Sequence, residues 1–264
     1  ILAEVDPAVK EEDGIEEIGD FPKRIRLPRI LVHLHVHYLD QIEYMLNALK
    51  NLSGCESEIC VTASENFRQV ADAIKSSRPD CRLIRVANVG YDAYPFLKVL
   101  QVNNLSKFDY IIKLHTKNER PDHRNTVYGI EVPGYKWRND LVNALLASED
   151  VFRRNLRMLE EDLSVGAIGA GKYLFSTLEN NEETNYDLAR WRAAFDIDES
   201  IHYFGGTMFM ARAYPFERFK RNRLEEIDFG DDDLESFAHK NMAHLLERVF
   251  GLVIESEGFR LHGA

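Results

Sequence analysis

Three side chains that could meet an anion alternate at the end of one apolar run: Lys113, His115 and Lys117 in DYIIKLHTK. Alternation at period two throws all three to one side of an extended backbone. Two cations and an imidazole at the carboxyl end of a buried strand are poor core material, because burying unpaired charge is costly. A diphosphate fits their charge and spacing; the plainer alternative is two lysines reaching solvent past the strand end. A second group, Asn88-Val-Gly-Tyr-Asp92, carries a glycine (Gly90) that permits a tight turn and close backbone approach. Asp92 reads either as an acceptor for a base or sugar hydroxyl or as a helix cap. His33, His35 and His37 share one strand face, a pattern able to bind zinc or another metal. No HExxH and no Asp/His set of recognisable spacing accompanies them, so packed or surface histidines are the plainer reading. His35 and His37 lie nearest the strand end.

The second half of the chain holds further candidates. Trp137-Arg138 opens a helix and could stack on a sugar ring and clamp a phosphate or carboxylate; helix packing is the alternative. Gly205-Gly206-Thr207 interrupts the apolar run HYFGGTMFMA, which suggests a bulge or the close approach of a ligand. Asp231-Asp232-Asp233 reads first as a helix start, since acids favour the positive end of the helix dipole. His244 and Glu247, one helical turn apart, share a face and could act as a general base and its orienting partner. Arg248 follows directly.

The elements that must position these residues alternate. Arg29–His37 is period-two and β-branched, and Asp40–Leu52 has apolar residues at helical spacing behind a candidate cap, Asp40. Strand Ser57–Ala63, helix Ser64–Ser77 with Ser64 as cap, strand Cys81–Asn88, helix Tyr94–Val102 and strand Asp109–Lys117 follow. Such alternation predicts an α/β fold, a mostly parallel sheet with helices on both faces. Ligands of such sheets sit beyond the carboxyl ends of the strands, where His35 to Tyr38, Thr62, Asn88 to Asp92 and Lys113 to Lys117 collect. Beyond a polar loop, Asn118–Gly134, the pattern gives helices at Lys136–Ser148 and Asp150–Asp162. Strands are expected at Val165–Phe175 and Ile201–Arg212, a helix at Leu234–Phe250 and a last strand at Leu252–Glu255.

Composition bounds the function. The 264 residues carry a net charge of −11, and residues 1–20 alone hold eight acids against Lys10, leaving −4 for the remaining 244. Residues 1–27 read as an acidic arm or linker and 28–264 as one domain. A body this close to neutral is not expected to bind nucleic-acid backbone. No run of 18 apolar residues exists and no leader pattern is read. The start at Ile1 without Met suggests an excised piece of a longer protein. Three cysteines with no CxxC pair argue against a disulfide framework and fit a reducing, cytoplasmic setting.

Taken in order, ILVHLHVHY (30–38), EICVTA (58–63), NVGYDAYPFL (88–97), FDYIIKLHTKNE (108–119), WRNDLVNALLAS (137–148), GGTMFMAR (205–212) and AHLLERVFGL (243–252) resemble the rhamnan synthesis protein F family of bacterial polysaccharide glycosyltransferases. The resemblance covers about residues 28–254. It implies a GT-A fold, with a nucleotide-binding half (28–118) before an acceptor half (119–264). It also implies a nucleotide-sugar donor such as dTDP-L-rhamnose, and an inverting transfer to a lipid-linked or polysaccharide acceptor for O-antigen, capsule or cell-wall glycan. That work is expected on the cytoplasmic side of the membrane, alongside other enzymes of glycan assembly. On this reading His35, Tyr38, Thr62, Asn88, Gly90, Asp92, Lys113, His115 and Lys117 bind the donor. Trp137, Arg138, Gly206, Thr207 and Arg248 border the sugar and acceptor, and Glu247, His244 and Asp233 are the candidate bases, in that order. Two departures stand out. Many GT-A enzymes place Asp-x-Asp at the end of the fourth strand to hold manganese or magnesium; here Lys113, His115 and Lys117 stand there, with His115 the one candidate ligand. Where relatives often have Asp-Gly-Thr-Leu, this chain has His239-Lys-Asn-Met242. Two other classes remain: a catalytically silent glycan-binding or scaffold domain of a larger protein, and a metal hydrolase built on the first-strand histidines.

Overall fold

Both faces of the first strand are buried, which marks it as central: a strand covered by helices on two sides must bury every side chain. β1 (Arg29–His35) does so from Ile30 to His35. The computed structural model describes residues 26–118, 124–127, 130–177, 188, 191–193, 201–221 and 242–264. Nearly all of the predicted acidic arm, and Asp231–Asp233, lie outside them.

The first half follows the predicted alternation. After β1 come α1 (Ile42–Leu49), β2 (Glu56–Ala63), α2 (Phe67–Ser77), β3 (Arg82–Arg85), α3 (Ala93–Val102) and β4 (Tyr110–His115). Three ends differ. β1 stops at His35, so His37 is exposed rather than in line with His33 and His35. A 3-10 turn, Leu39–Gln41, precedes α1, so Asp40 is not its cap. Asn66 rather than Ser64 holds the N-cap position of α2.

The second half needed more correction. The stretch expected to be a loop contains a hairpin, β5 (Arg124–Val127) with β6 (Ile130–Pro133). Helices α4 (Gly134–Leu146) and α5 (Glu149–Glu161) stand where expected. The strand expected at Val165–Phe175 divides into β7 (Val165–Gly169), a 3-10 turn and β8 (Leu174–Ser176). The run Ile201–Arg212 divides into β9 (His202–Phe204) and β10 (Phe209–Arg212), because Gly205, Gly206 and Thr207 make a turn closed by Thr207 N–H to the Phe204 carbonyl at 3.0 Å. After the short α6 (Arg218–Arg221), helix α7 (Met242–Glu255) runs through Leu252–Glu255, which is therefore not a strand. The last strand is β11 (Arg260–Gly263).

Seven strands form one sheet in the order β11-β7-β10-β4-β1-β2-β3. β10 is antiparallel to β4 and β7; the other pairs are parallel. Strands from both halves thus share one sheet. Ile30, Val32 and Leu34 of β1 pack with α1, α2, α4 and α5 on one side. Leu31, Ile111 of β4 and Phe209 of β10 pack with α3 and α7 on the other. Among the described residues, no helix is long and apolar enough to cross a membrane.

One close approach fixes α7 to the separate two-stranded ribbon of β8 and β9. A Cβ placed on Gly251 would lie 1.8 Å from the His202 carbonyl oxygen of β9. Backbone against backbone leaves no flexible group to yield. In an exposed helix Gly→Ala gains about 1 kcal/mol of propensity. Here overpacking, costing about 1–3 kcal/mol or more, should dominate. Gly251→Ala is therefore expected to lower the thermal midpoint by several degrees, where helix propensity alone would raise it; circular dichroism melting decides the sign.

Candidate active site

Strand register sets the first row of the site. His33 lies opposite Lys113, and His35 is flanked by His115 and Thr62. Thr62 Oγ1 sits 2.8 Å from His33 Nε2 and 3.0 Å from His35 Nδ1. The His33 ring stacks on Phe96 at 5.6 Å. Burial pushes both imidazoles down, His35 to about 4. Two neutral rings sharing one hydroxyl are packing. Thr62 is fully buried and so does not line a donor pocket.

Lys113 is the centre of the arrangement. Its side chain is wholly buried, yet its ammonium has three oxygen partners: Asp92 Oδ2, the Thr207 carbonyl at 3.0 Å and Thr207 Oγ1 at 2.8 Å. The rings of Phe96 and Phe250 lie 5.6 and 5.7 Å from the nitrogen. The three ammonium protons match these three oxygen partners. The expectation that Lys113 touches a diphosphate is therefore corrected: it holds Asp92 and Thr207. Burial lowers the Lys113 pKa against the opposing pull of Asp92.

Asp92 occupies the N-cap position of α3 but makes no capping bond with its side chain. Its Oδ2 instead takes Lys113 and accepts from Thr207 Oγ1 at 2.5 Å. Burial works to raise this carboxyl, but positive charge on His115, where that ring is protonated, and on Lys113 and Lys117 outweighs it and holds the group well below the usual carboxylate range. Asp92 is thus ionised.

His115 is also buried, with Nε2 2.8 Å from the Gly206 carbonyl and Nδ1 3.1 Å from the Thr116 carbonyl. Burial pushes its pKa down to about 3 against the pull of Asp92. A neutral ring donates once, and we assign that proton to Nε2, on the shorter contact. The ammoniums, not this ring, then carry the attraction for Asp92. Both ring nitrogens thus face backbone carbonyls in this arrangement. Among the described residues, no group of three or more His, Cys, Asp or Glu side chains could hold a metal ion. Among the described residues, the first-strand histidines thus belong to no such group.

Lys117 lies two residues beyond β4, in a loop fastened on both sides. Gln41, buried below the loop, accepts from Lys117 N–H at 3.1 Å and donates to its carbonyl at 2.5 Å. Thr116 Oγ1 accepts from the N–H groups of His37 and Tyr38 at 2.9 and 3.1 Å. The Lys117 ammonium sits 3.6 Å from the centre of the Trp137 ring, a cation–π contact. Burial pushes its pKa down to about 8, against the pull of Asp92 and Glu247.

The Gly205–Thr207 turn closes the site. Gly206 N–H donates to Glu247 Oε1 at 2.5 Å, bringing α7 to the carboxyl end of β4. Gly206 has φ +91°, and a Cβ there would come within 2.7 Å of Leu141 and 2.9 Å of Trp137. Gly90 (φ +62°) shares that left-handed backbone, and so do Thr207 (φ +50°) and Tyr91 (φ +48°), which are not glycines. Backbone strain of this kind gathers at functional sites.

Asp92, Lys113, His115, Lys117, Trp137, Gly206, Thr207 and Glu247 are thus brought together. His244 stands at the rim, exposed, its ring 6.1 Å from that of Tyr91. Asn88 is exposed and lies apart, 3.4 Å from Glu65, beside a cavity of about 420 Å³ at the ends of β2 and β3. Arg138 stacks on Tyr44 at 4.1 Å and bonds to Asn139, which turns it toward α1. Arg248 is buried over Tyr203 and donates to the His244 carbonyl, a packing role. Asp233 lies outside the described residues. Gln41 and Tyr91 escaped sequence reasoning. The signal for Gln41 is a polar residue just ahead of an apolar helix face; for Tyr91 it is the neighbouring Gly90.

The rhamnan synthesis protein F family matches residues 15–259. The chain belongs to that family. Its relatives include the uncharacterised protein WxcX of Xanthomonas campestris pv. campestris, 25% identical in strain B100 and 24% in strain ATCC 33913, each over 92% of this chain. The chain spans about a third (34%) of the length of these curated relatives. Among solved structures, a mannosyltransferase of Pyrobaculum calidifontis with GDP-mannose and manganese aligns at TM-score 0.44, 14% identical, over 91% of this chain and 55% of its own. A glucosyl-3-phosphoglycerate synthase of Mycobacterium tuberculosis with manganese, UDP and phosphoglyceric acid aligns at 0.34, 12% identical, over 72% and 57%. Likenesses so distant carry no weight for substrate or metal.

Two outcomes follow from this geometry. Asp92→Asn leaves a buried ammonium unpaired and should cost about 3–5 kcal/mol, whereas the double change Asp92→Asn with Lys113→Met should recover part of it; denaturant melts measure both. Lys117 titrates near pH 8 in the folded chain and near 10.5 when unfolded. Between those values the unfolded state binds more protons, so this group's contribution to stability rises with pH. Its hold on an anion runs the other way: pyrophosphate affinity should weaken as pH climbs through about 8. Lys117→Arg should flatten that dependence, as calorimetry at stepped pH would show.

Proposed function

We propose that this chain is a glycosyltransferase domain that moves a sugar from a nucleoside-diphosphate donor to a growing bacterial surface polysaccharide. The carrying observation is the meeting of Lys117, Asp92 and Glu247 around the Gly206–Thr207 turn, at the carboxyl ends of parallel strands, in a rhamnan synthesis family chain. Ligands of open α/β sheets collect at that edge. A fixed cation, a carboxylate and an open rim are what sugar transfer from a diphosphate requires.

In the proposed reaction the acceptor hydroxyl oxygen attacks the anomeric carbon from the face opposite the diphosphate. The new carbon–oxygen bond forms as the sugar–phosphate bond breaks, so the centre inverts. Glu247 takes the hydroxyl proton, and the nucleoside diphosphate leaves with the bonding electron pair. Its charge develops toward Lys117, preorganised on Trp137, so no reorganisation is needed as the bond breaks. Lys113 and Thr207 are positioning residues for Asp92. Tyr91 and His244 form the rim against which acceptor sugar rings can stack. The family supports L-rhamnose as the sugar and dTDP-L-rhamnose as the donor, with a lipid-linked or polysaccharide acceptor at the inner membrane face. The proposed division, donor with residues 28–118 and acceptor with 119–264, is crossed by Trp137 on the donor side and by Tyr91 at the rim.

Glu247→Gln is the isosteric test. The amide oxygen can still accept from Gly206 N–H, so the turn is kept while the base is lost. Turnover of dTDP-L-rhamnose with a rhamnan acceptor should fall by about 10²–10⁴-fold, with dTDP affinity unchanged. Full turnover in the variant removes Glu247 from the role of base. Nucleotide binding without turnover in the parent chain would favour a silent glycan-binding domain, a reading that fits a chain one third the length of its relatives.

A further inference from the structure

What neutralises the donor's diphosphate is a separate question. Hard divalent cations ask for about six oxygen ligands, carboxylates foremost. At the end of β4 the side chains on the site's face are instead Lys113 and His115, with Lys117 beyond. Each nearby carboxylate has at least one oxygen engaged. Asp92 Oδ2 holds the Lys113 ammonium and the Thr207 hydroxyl, with His115 Nε2 at 3.6 Å. Glu247 accepts from Gly206 N–H through one oxygen and lies 3.6 Å from Arg248 through the other. The His115 nitrogens face two carbonyls. A divalent ion drawn to Asp92 would settle beside an ammonium already in place, at a Coulombic cost that burial magnifies. The described residues of the site do not fit manganese or magnesium.

They do fit a built-in cation. A catalytic metal gives a diphosphate positive charge at a fixed place. Lys117 offers both: its backbone is clamped by Gln41 on either side and its ammonium rests on the Trp137 ring at 3.6 Å. Beside it the Trp137 Nε1–H is buried with no hydrogen-bond partner among the described residues, a donor that a phosphate oxygen could satisfy. The Gly206 backbone lies against the same indole, where no Cβ fits. From this we infer that the site binds a nucleoside diphosphate without a divalent metal, with the Lys117 ammonium and the Trp137 N–H in the metal's place. The inference rests on the donor-binding reading above.

Calorimetry on the whole chain tests it with dTDP, UDP, GDP and CDP as probes, each in EDTA and again in millimolar manganese or magnesium. The expected result is one nucleotide bound with a Kd that changes by no more than about twofold between EDTA and metal. Lys117→Gln should weaken that binding by about tenfold or more in either buffer, and Lys117→Arg should retain most of it. Thermal melts of both variants check that the fold survives; if Lys117→Gln unfolds, Trp137→Phe provides the second measurement, weakening binding in EDTA by removing the N–H. Binding that appears only with metal overturns the inference and leaves the donor site standing. Binding in EDTA that neither Lys117→Gln nor Trp137→Phe alters overturns the assignment of residues. No binding of any nucleotide in either buffer overturns the donor-binding reading, and this inference with it.

Discussion

The buried ion pair of Lys113 and Asp92 is the constraint on which the site depends. A wholly buried ammonium is tolerable only with a charged partner and with its remaining protons bonded. Thr207 supplies both its carbonyl and its hydroxyl, so the requirement reaches from β4 to the start of α3 and to the turn before β10. Those three segments are far apart in the chain. One unsatisfied group at the centre therefore specifies where two loops must end up. Phe96 and Phe250, from α3 and α7, pack against the ammonium of the pair, while the Asp92 carboxylate keeps partial exposure.

This explains why the second lysine is free to do something different. Lys113 and Lys117 carry the same side chain four residues apart, yet one is saturated and the other rests on an aromatic face. The division follows from where β4 ends. Lys113 lies inside the ladder, where the sheet and both aromatic rings enclose it. Lys117 lies past the last ladder residue, where the Gln41 clamp and the Trp137 ring restrain it. A cation held by a ring face keeps its N–H groups available, whereas one held by a carboxylate and a hydroxyl has spent them. Charge alone, as counted along the sequence, does not separate these two states.

The first half of the fold was legible because its signals are local. Period-two runs and helical spacing gave β1 to β4 and α1 to α3 close to their places, and the sheet's parallel character followed. The second half was harder where one apolar run serves two elements. Leu252–Glu255 is apolar enough for a strand, but it continues the buried face of α7, and Gly251 lets that helix lie on β9. The run Ile201–Arg212 looked continuous because the turn residues within it, Gly205 to Thr207, are few. For the site, residue types were readable and partnerships were not. Asp92 was open between cap and ligand; the contact that decides it comes from Lys113 and from Thr207, 115 residues away. Gln41 gave little warning, since its role is to bond a backbone segment 76 residues distant.

The strained residues complete the argument. Tyr91 and Thr207 adopt left-handed backbone that non-glycine residues rarely hold, at a cost of about 1–3 kcal/mol each. Each adjoins or belongs to a partner of Lys113: Tyr91 precedes Asp92, and Thr207 itself bonds the ammonium. The ion pair, its hydroxyl bridge and the packing around it offset that cost, because relaxing either loop would expose the ammonium to an unpaired state. Strain on both sides of a single buried charge couples the loops. A change that loosens Thr207 also frees Asp92, and a change at Asp92 releases the turn that presents Gly206 N–H to Glu247. Lys117, the carboxylate on α7 and the aromatic rim are then held in register by the Lys113–Asp92 pair.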